Sequence, residues 1–169
     1  MYHSRYFFYQ LACALRQELS GARLLECFSQ QKDELLLHFI KESNEEFFIK
    51  ADLASGVSIL SFPEKPERSR SNSASLFPEI TGSVVQEVQP EKNDRLFRLR
   101  FSSGLFLSFK MYGQRSNVLL HDETRVLAVF NNHLRKDLEN LPRIHELLPE
   151  EMQWHPDEEI LRKRCPGFT

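Results

Sequence analysis

The side chains best equipped for chemistry are a few arginines and the polar groups beside them. Asp94-Arg95 stands at the head of the run Leu96-Phe97-Arg98-Leu99. A guanidinium is a planar fork of donors that fits phosphate or carboxylate, and a neighbouring Asp can hold that fork in place. At a turn the pair would stand on rigid strands and face outward. The competing reading is a surface ion pair that braces a hairpin and contributes about 0–1 kcal/mol. Arg115 and Asn117, in Gly113-Gln-Arg-Ser-Asn117, form a second candidate group. Its alternative is a tight turn in which Asn117 bonds local backbone. Arg68 and Arg70 lie in 63–73, a stretch of Pro, Glu, Lys, Arg, Ser and Asn. There they would reach phosphate from an exposed loop, unless the segment is a solvated connector.

Catalytic and metal-binding patterns are missing. The six histidines are scattered, with no His-x-x-x-His spacing for a metal. His121 beside Asp122, and His133 at a helix start, read as surface or capping residues. Six glycines include no phosphate-cradling loop. Cys13, Cys27 and Cys165 are odd in number and lack ligand spacing, which suits reduced thiols in a cytosolic protein. Trp154 and Met152 read as an apolar anchor. No cofactor, no metal and no enzymatic activity is expected.

The elements that must position these groups follow from periodicity. Phe8, Leu11, Leu15 and Leu19 recur at three- and four-residue steps, one face of a helix over 5–19 that Ser20-Gly21 ends. Strands are expected at 24–28, 35–40, 46–52, 58–60, 84–88, 96–101, 105–111, 117–120 and 126–129. Short polar connections favour antiparallel neighbours. A helical turn is expected over 75–80, packing Leu76, Phe77 and Ile80. A helical or irregular tail begins near His133, with a further helix at 157–164.

One segment is written twice, about sixty residues apart. Gly21-Ala-Arg-Leu-Leu-Glu26 leads through Lys32-Asp33 to Leu35, and Gly82-Ser-Val-Val-Gln-Glu87 leads through Asn93-Asp94 to Leu96. Gly, Glu, Asp and Leu share their offsets. Each copy reads as strand, acidic turn, strand. The repeat predicts two antiparallel units, 20–62 and 82–130, packed face to face about an approximate twofold.

With 169 residues, 41% hydrophobic and 27% charged, the chain can bury a real core. Residues 1–140 read as one domain, and 141–169 as a linker and the start of a truncated helical module. No apolar run approaches the roughly 18 residues of a membrane span, and the N-terminal residues lack a secretory pattern. A cytoplasmic location is the expectation. A net charge of −2 disfavours a whole-surface nucleic-acid binder and leaves room for a local basic patch.

Three stretches, in order, carry a resemblance: 29–37 (Ser-Gln-Gln-Lys-Asp-Glu-Leu-Leu-Leu), Asn93-Asp94-Arg95-Leu96, and Met111-Tyr-Gly-Gln-Arg-Ser-Asn-Val-Leu-Leu120. Together they resemble the N-terminal domain of the NFACT family over roughly 5–140. The last is similar to the family's Met-x-Gly-x-x-Ser-Asn. The resemblance implies an α+β, mainly antiparallel fold: a two-sheet sandwich with an N-terminal helix and flanking helices, like the N-terminal domain of formamidopyrimidine-DNA glycosylases. It implies binding of tRNA on large ribosomal subunits, as in ribosome-quality-control factors, with Asp94-Arg95 at the position tied to tRNA. The alternative it carries is a fibronectin-binding-like adhesion module. Glycosylase chemistry needs an N-terminal proline, and the chain begins Met1-Tyr2-His3, so DNA is not an expected partner. Lys110 stands where the family often has an acid. Oligomeric state is left open.

Overall fold

The computed structural model describes residues 5–54, 56, 58–69, 72–91 and 94–142. The expected helix at 157–164, Trp154, Cys165 and most of the second segment lie outside these residues. The chain opens with α1 (Arg5–Leu19) and continues through ten strands: β1 (Arg23–Ser29), β2 (Glu34–Ile40), β3 (Glu46–Asp52), β4 (Ile59–Ser61), β5 (Ala74–Ser75), β6 (Val85–Pro90), β7 (Leu96–Phe101), β8 (Phe106–Lys110), β9 (Asn117–His121) and β10 (Val126–Val129). They form two antiparallel five-stranded sheets, in the orders β4-β3-β2-β1-β5 and β10-β9-β8-β7-β6.

Period-two patterning sets the inner faces. Leu35, Leu37, Phe39 and Ile49 from the first sheet share one core with Phe97, Leu99, Phe101, Leu107, Phe109 and Leu120 from the second. The rings of Phe97 and Phe109 stack at 4.7 Å across β7 and β8. Helix α1 lays Phe8, Leu11, Leu15 and Leu19 into this core and packs on β6 and β7. Arg16, from the same helix, donates through Nε and Nη2 to the Val88 carbonyl at 3.0 and 2.9 Å. A carbonyl of the edge strand β6 is thereby satisfied.

The two copies of the repeat meet through main-chain hydrogen bonds that join the two sheets. Gly21 N–H donates to the Val85 carbonyl (3.0 Å), and Gly82 N–H to the Leu24 carbonyl (2.8 Å). Leu24 N–H reaches the Ser83 carbonyl (2.9 Å), and Val85 N–H the Ala22 carbonyl (2.8 Å). Each bond is the mirror of another when one copy is exchanged for the other, which is the signature of a local twofold. Gly21 and Gly82 enter the crossing at φ 79° and 83°, a backbone that L side chains resist. A register shift follows at the same place in each copy, between Leu24 and Glu26 in β1 and between Val85 and Glu87 in β6.

Two details depart from the sequence reading. Ser75, expected to open the helical turn, instead pairs with Phe28, and with Ala74 opposite Ser29 forms β5; the turn is a 3-10 segment, Pro78–Ile80, entered through Phe77 at φ 50°. Past β10, the expected helical tail is, within the described residues, a single 3-10 turn, Arg135–Leu138.

Candidate functional site

Three connections gather at one end of the second sheet. The register pairs Leu96 with Lys110 and Lys110 with Asn117, so the β6–β7 turn carrying Asp94-Arg95 lies beside the β8–β9 turn carrying Tyr112 to Ser116. Met111 N–H donates to the Arg95 carbonyl (2.9 Å), which joins the two turns directly. The segment ahead of β4 braces them from the first sheet. Gly113 N–H donates to Ser58 Oγ (3.1 Å), and the Ser58 and Ser116 hydroxyls bond one another.

Asp94 and Arg95 are both half-buried, yet the carboxylate does not clasp the guanidinium. Oδ1 of Asp94 accepts from the Arg95 main-chain N–H (2.8 Å), and Oδ2 accepts from the Tyr112 hydroxyl. The Arg95 guanidinium lies over the Tyr112 ring, 5.9 Å from its centroid, and Lys110 Nζ sits 5.2 Å from the same centroid. Burial, then the hydrogen bond from Tyr112 to Asp94, pushes the Tyr112 hydroxyl well above the usual tyrosine range, so it stays a donor. Arg115 is exposed in the 3-10 turn Gly113–Arg115. Among the described residues neither Arg95 nor Arg115 has a carboxylate partner.

Asn117 belongs to the scaffold. It is 0% exposed, and every polar atom is used. Its amide donates to Asp137 Oδ2 (2.9 Å) and to the Asn131 carbonyl (3.3 Å); its oxygen accepts from Val118 N–H (3.0 Å) and Asn131 N–H (2.8 Å). Asp137 is also the partner of Lys110. The base at position 110 thus has its own acid, supplied by the segment after β10. No local sequence signal marks this Lys110–Asp137–Asn117 network, because its members are brought together by β8, β9 and a later turn.

Arg68 is committed to partners that tie its loop to β1 and β5. Nη1 pairs with Glu26 (2.8 Å), Nε and Nη2 donate to Ser73 and Ser75 (2.9 and 3.0 Å), and the guanidinium lies 4.5 Å from the Phe28 ring centroid. Gln30, just past β1, donates through Nε2 to the Glu67 carbonyl (3.0 Å), so the loop is strapped to the end of β1 while Glu64, Lys65, Glu67 and Arg68 remain exposed. Arg70 lies outside the described residues.

His121 corrects the expectation of a surface or capping histidine. It is 1% exposed at the end of β9, stacked on Phe106 at 5.2 Å. Nδ1 lies 2.7 Å from the Asp122 carbonyl, which can only accept, so Nδ1 carries the proton and Nε2 accepts from the Ser108 hydroxyl (2.8 Å). Burial holds its pKa below the ordinary 6.5. Separately, Glu18, Lys41, Glu45, Glu46, Phe47, Phe62 and Glu64 line an open cleft of about 400 Å³, in which Lys41 pairs with Glu18 and Glu45.

Among the described residues, no cluster of three or more His, Cys, Asp and Glu side chains is arranged to hold a metal, and no helix is long and apolar enough to cross a membrane. No family model and no curated protein sequence matches the chain. Its likeness is to solved structures. The N-terminal domain of the fibronectin-binding protein PavA from Streptococcus pneumoniae superposes with a TM-score of 0.65 at 17% identity, over 75% of this chain and 55% of that one. The fibrinogen-binding protein from Staphylococcus aureus gives 0.62 at 16% identity, over 85% and 59%. The N-terminal part of the fibronectin/fibrinogen-binding protein from Streptococcus suis gives 0.61 at 15%, over 84% and 60%. The chain shares their fold. It spans between half and two thirds of the length of each.

Proposed function

We propose that this chain is a non-enzymatic, cytoplasmic RNA-binding domain that engages tRNA on large ribosomal subunits through the paired turns at one end of the second sheet. The observation that carries the reading is that Arg95 and Arg115 stand on adjacent, mutually braced turns with no carboxylate partner among the described residues. A guanidinium on a rigid turn loses little freedom on meeting a phosphate, and its fork matches phosphate oxygens. With a net charge of −2, the chain has no general attraction for polyanions, so affinity must rest on such local groups. The resemblance of Asn93-Asp94-Arg95-Leu96 to the NFACT motif supports the same end of the molecule.

The test is co-sedimentation of the protein with tRNA-bearing large subunits across a salt series. The double variant Arg95→Ala/Arg115→Ala should melt like the wild type, and its association should fall. The slope of log affinity against log salt should become shallower by about 1–2, one step for each lost phosphate contact. Unchanged co-sedimentation of the folded variant would remove these residues from the interface.

A second reading is favoured by the names of the structural neighbours, which are fibronectin- and fibrinogen-binding proteins. In it the domain is an adhesion or protein-binding module. Saturable binding to immobilised fibronectin or fibrinogen, undiminished by Arg95→Ala/Arg115→Ala and without any ribosome association, would decide for it.

A further inference from the structure

We infer that Tyr112 is a positioning residue of this interface, its hydroxyl holding Asp94 and Asp94 holding the Arg95 backbone, so that the guanidinium is presented to a phosphodiester. The inference deepens the RNA-binding reading and rests on it for the identity of the ligand. An adjacent Asp and Arg would ordinarily be read as each other's partner. Here both carboxylate oxygens are engaged by other donors, Oδ2 by the Tyr112 hydroxyl and Oδ1 by the Arg95 main-chain N–H at 2.8 Å. The guanidinium instead rests over the Tyr112 ring. An aromatic face orients an arginine without occupying its five donors, whereas a carboxylate takes two of them.

Tyr112 is itself fixed. It is half-buried, and the residues on either side are tied down, Met111 to the Arg95 carbonyl and Gly113 to Ser58. Lys110, the other cation at the ring, is occupied by Asp137. The charged groups that bear on the hydroxyl are therefore Asp94, Glu91 and Arg95, and the first two favour its protonated, donating form.

The test separates positioning from ligand identity. Tyr112→Phe keeps the ring and removes the hydroxyl. By NMR, the Arg95 Nε–Hε and main-chain amide signals should be distinct in the wild type and move toward exposed-arginine positions in Tyr112→Phe, while those of Arg115 stay. Affinity for deacylated tRNA should fall about tenfold, the scale of one hydrogen bond to a charged group. Its salt slope should not change, because no cation has been lost; Arg95→Ala should lower that slope by about one. In Asp94→Asn, which keeps Tyr112 and removes a negative charge, the Arg95 Nε–Hε signal should also move toward the exposed-arginine position, a second route that does not depend on folding of the Phe variant. Unchanged Arg95 signals and unchanged affinity in folded Tyr112→Phe would overturn the inference, as would an Arg95 Nε–Hε signal indifferent to Asp94→Asn. If the wild type fails to bind tRNA while the Arg95 signals still move, the RNA reading falls and the positioning role stands.

Discussion

At the scale of single residues, position in the register decides what a polar group can do. Asn117 and Arg115 are two residues apart, yet one is sealed at the start of a central strand and the other projects from a turn. Asn117→Ala should strand Asp137 Oδ2 and the Asn131 and Val118 groups, at a cost of about 2–3 kcal/mol in urea unfolding, whereas Arg115→Ala should stay within about 0.5 kcal/mol. His121 gives the fold a pH dependence. Its pKa is lowered in the folded state, so between that value and 6.5 the unfolded chain binds more protons than the folded one. The stabilisation is complete above about pH 6.5 and is lost as pH falls below it. Melting temperature followed from pH 7.5 to 5 should decline, and His121→Gln should flatten the decline. Asp122 acts in a separate, more acidic window. Its hydrogen bonds from Thr124 lower its pKa to about 2, so its contribution fades only below the ordinary 3.8. A histidine next to an Asp in a polar stretch looks like a turn residue in the sequence. Its burial came from Phe106 and Ser108 on the neighbouring strand, which no local pattern announces.

At the scale of elements, period and punctuation were legible. The helix over 5–19, with Phe8, Leu11, Leu15 and Leu19 inward, and the strands at 46–52, 96–101 and 126–129 stand where their patterns place them. Phe97, Leu99 and Phe101 face the core, while Arg98 and Arg100 lie over the Phe106 ring on the other face, which explains the mixed alternation of β7. The two-residue β5 was not legible, because a strand of that length has no period to read and exists only through its pairing with β1. Within the loop at 63–73, Glu64, Lys65, Glu67, Arg68, Ser69 and Asn72 are exposed. Its attachment through Arg68 and Gln30 was hidden, since Glu26 and Phe28 lie some forty positions earlier in the sequence.

At the scale of the whole molecule, the crossing of the two repeat copies is where the halves become one structure. The Gly21, Leu24, Gly82 and Val85 amides close a reciprocal ring of bonds between chain segments that are distant in sequence. These bonds tie the start of β1 in the first sheet to the start of β6 in the second. These four amides should therefore be among the slowest in native-state hydrogen exchange, with free energies equal to that of global unfolding, and the two sheets should unfold in a single transition. Slow exchange in one sheet with fast exchange in the other would contradict this. The sequence by itself determined the class of fold and its internal duplication, because alternation of apolar residues, glycines able to take positive φ and a repeated Gly-Glu-Asp-Leu spacing are local properties. Only the tertiary structure decided the partners of the polar groups. Asp94 turns to Tyr112 rather than to Arg95, Lys110 to Asp137, and Arg68 to Glu26, because each partner arrives from another strand or loop, and pairing across a sheet depends on register that no single segment contains.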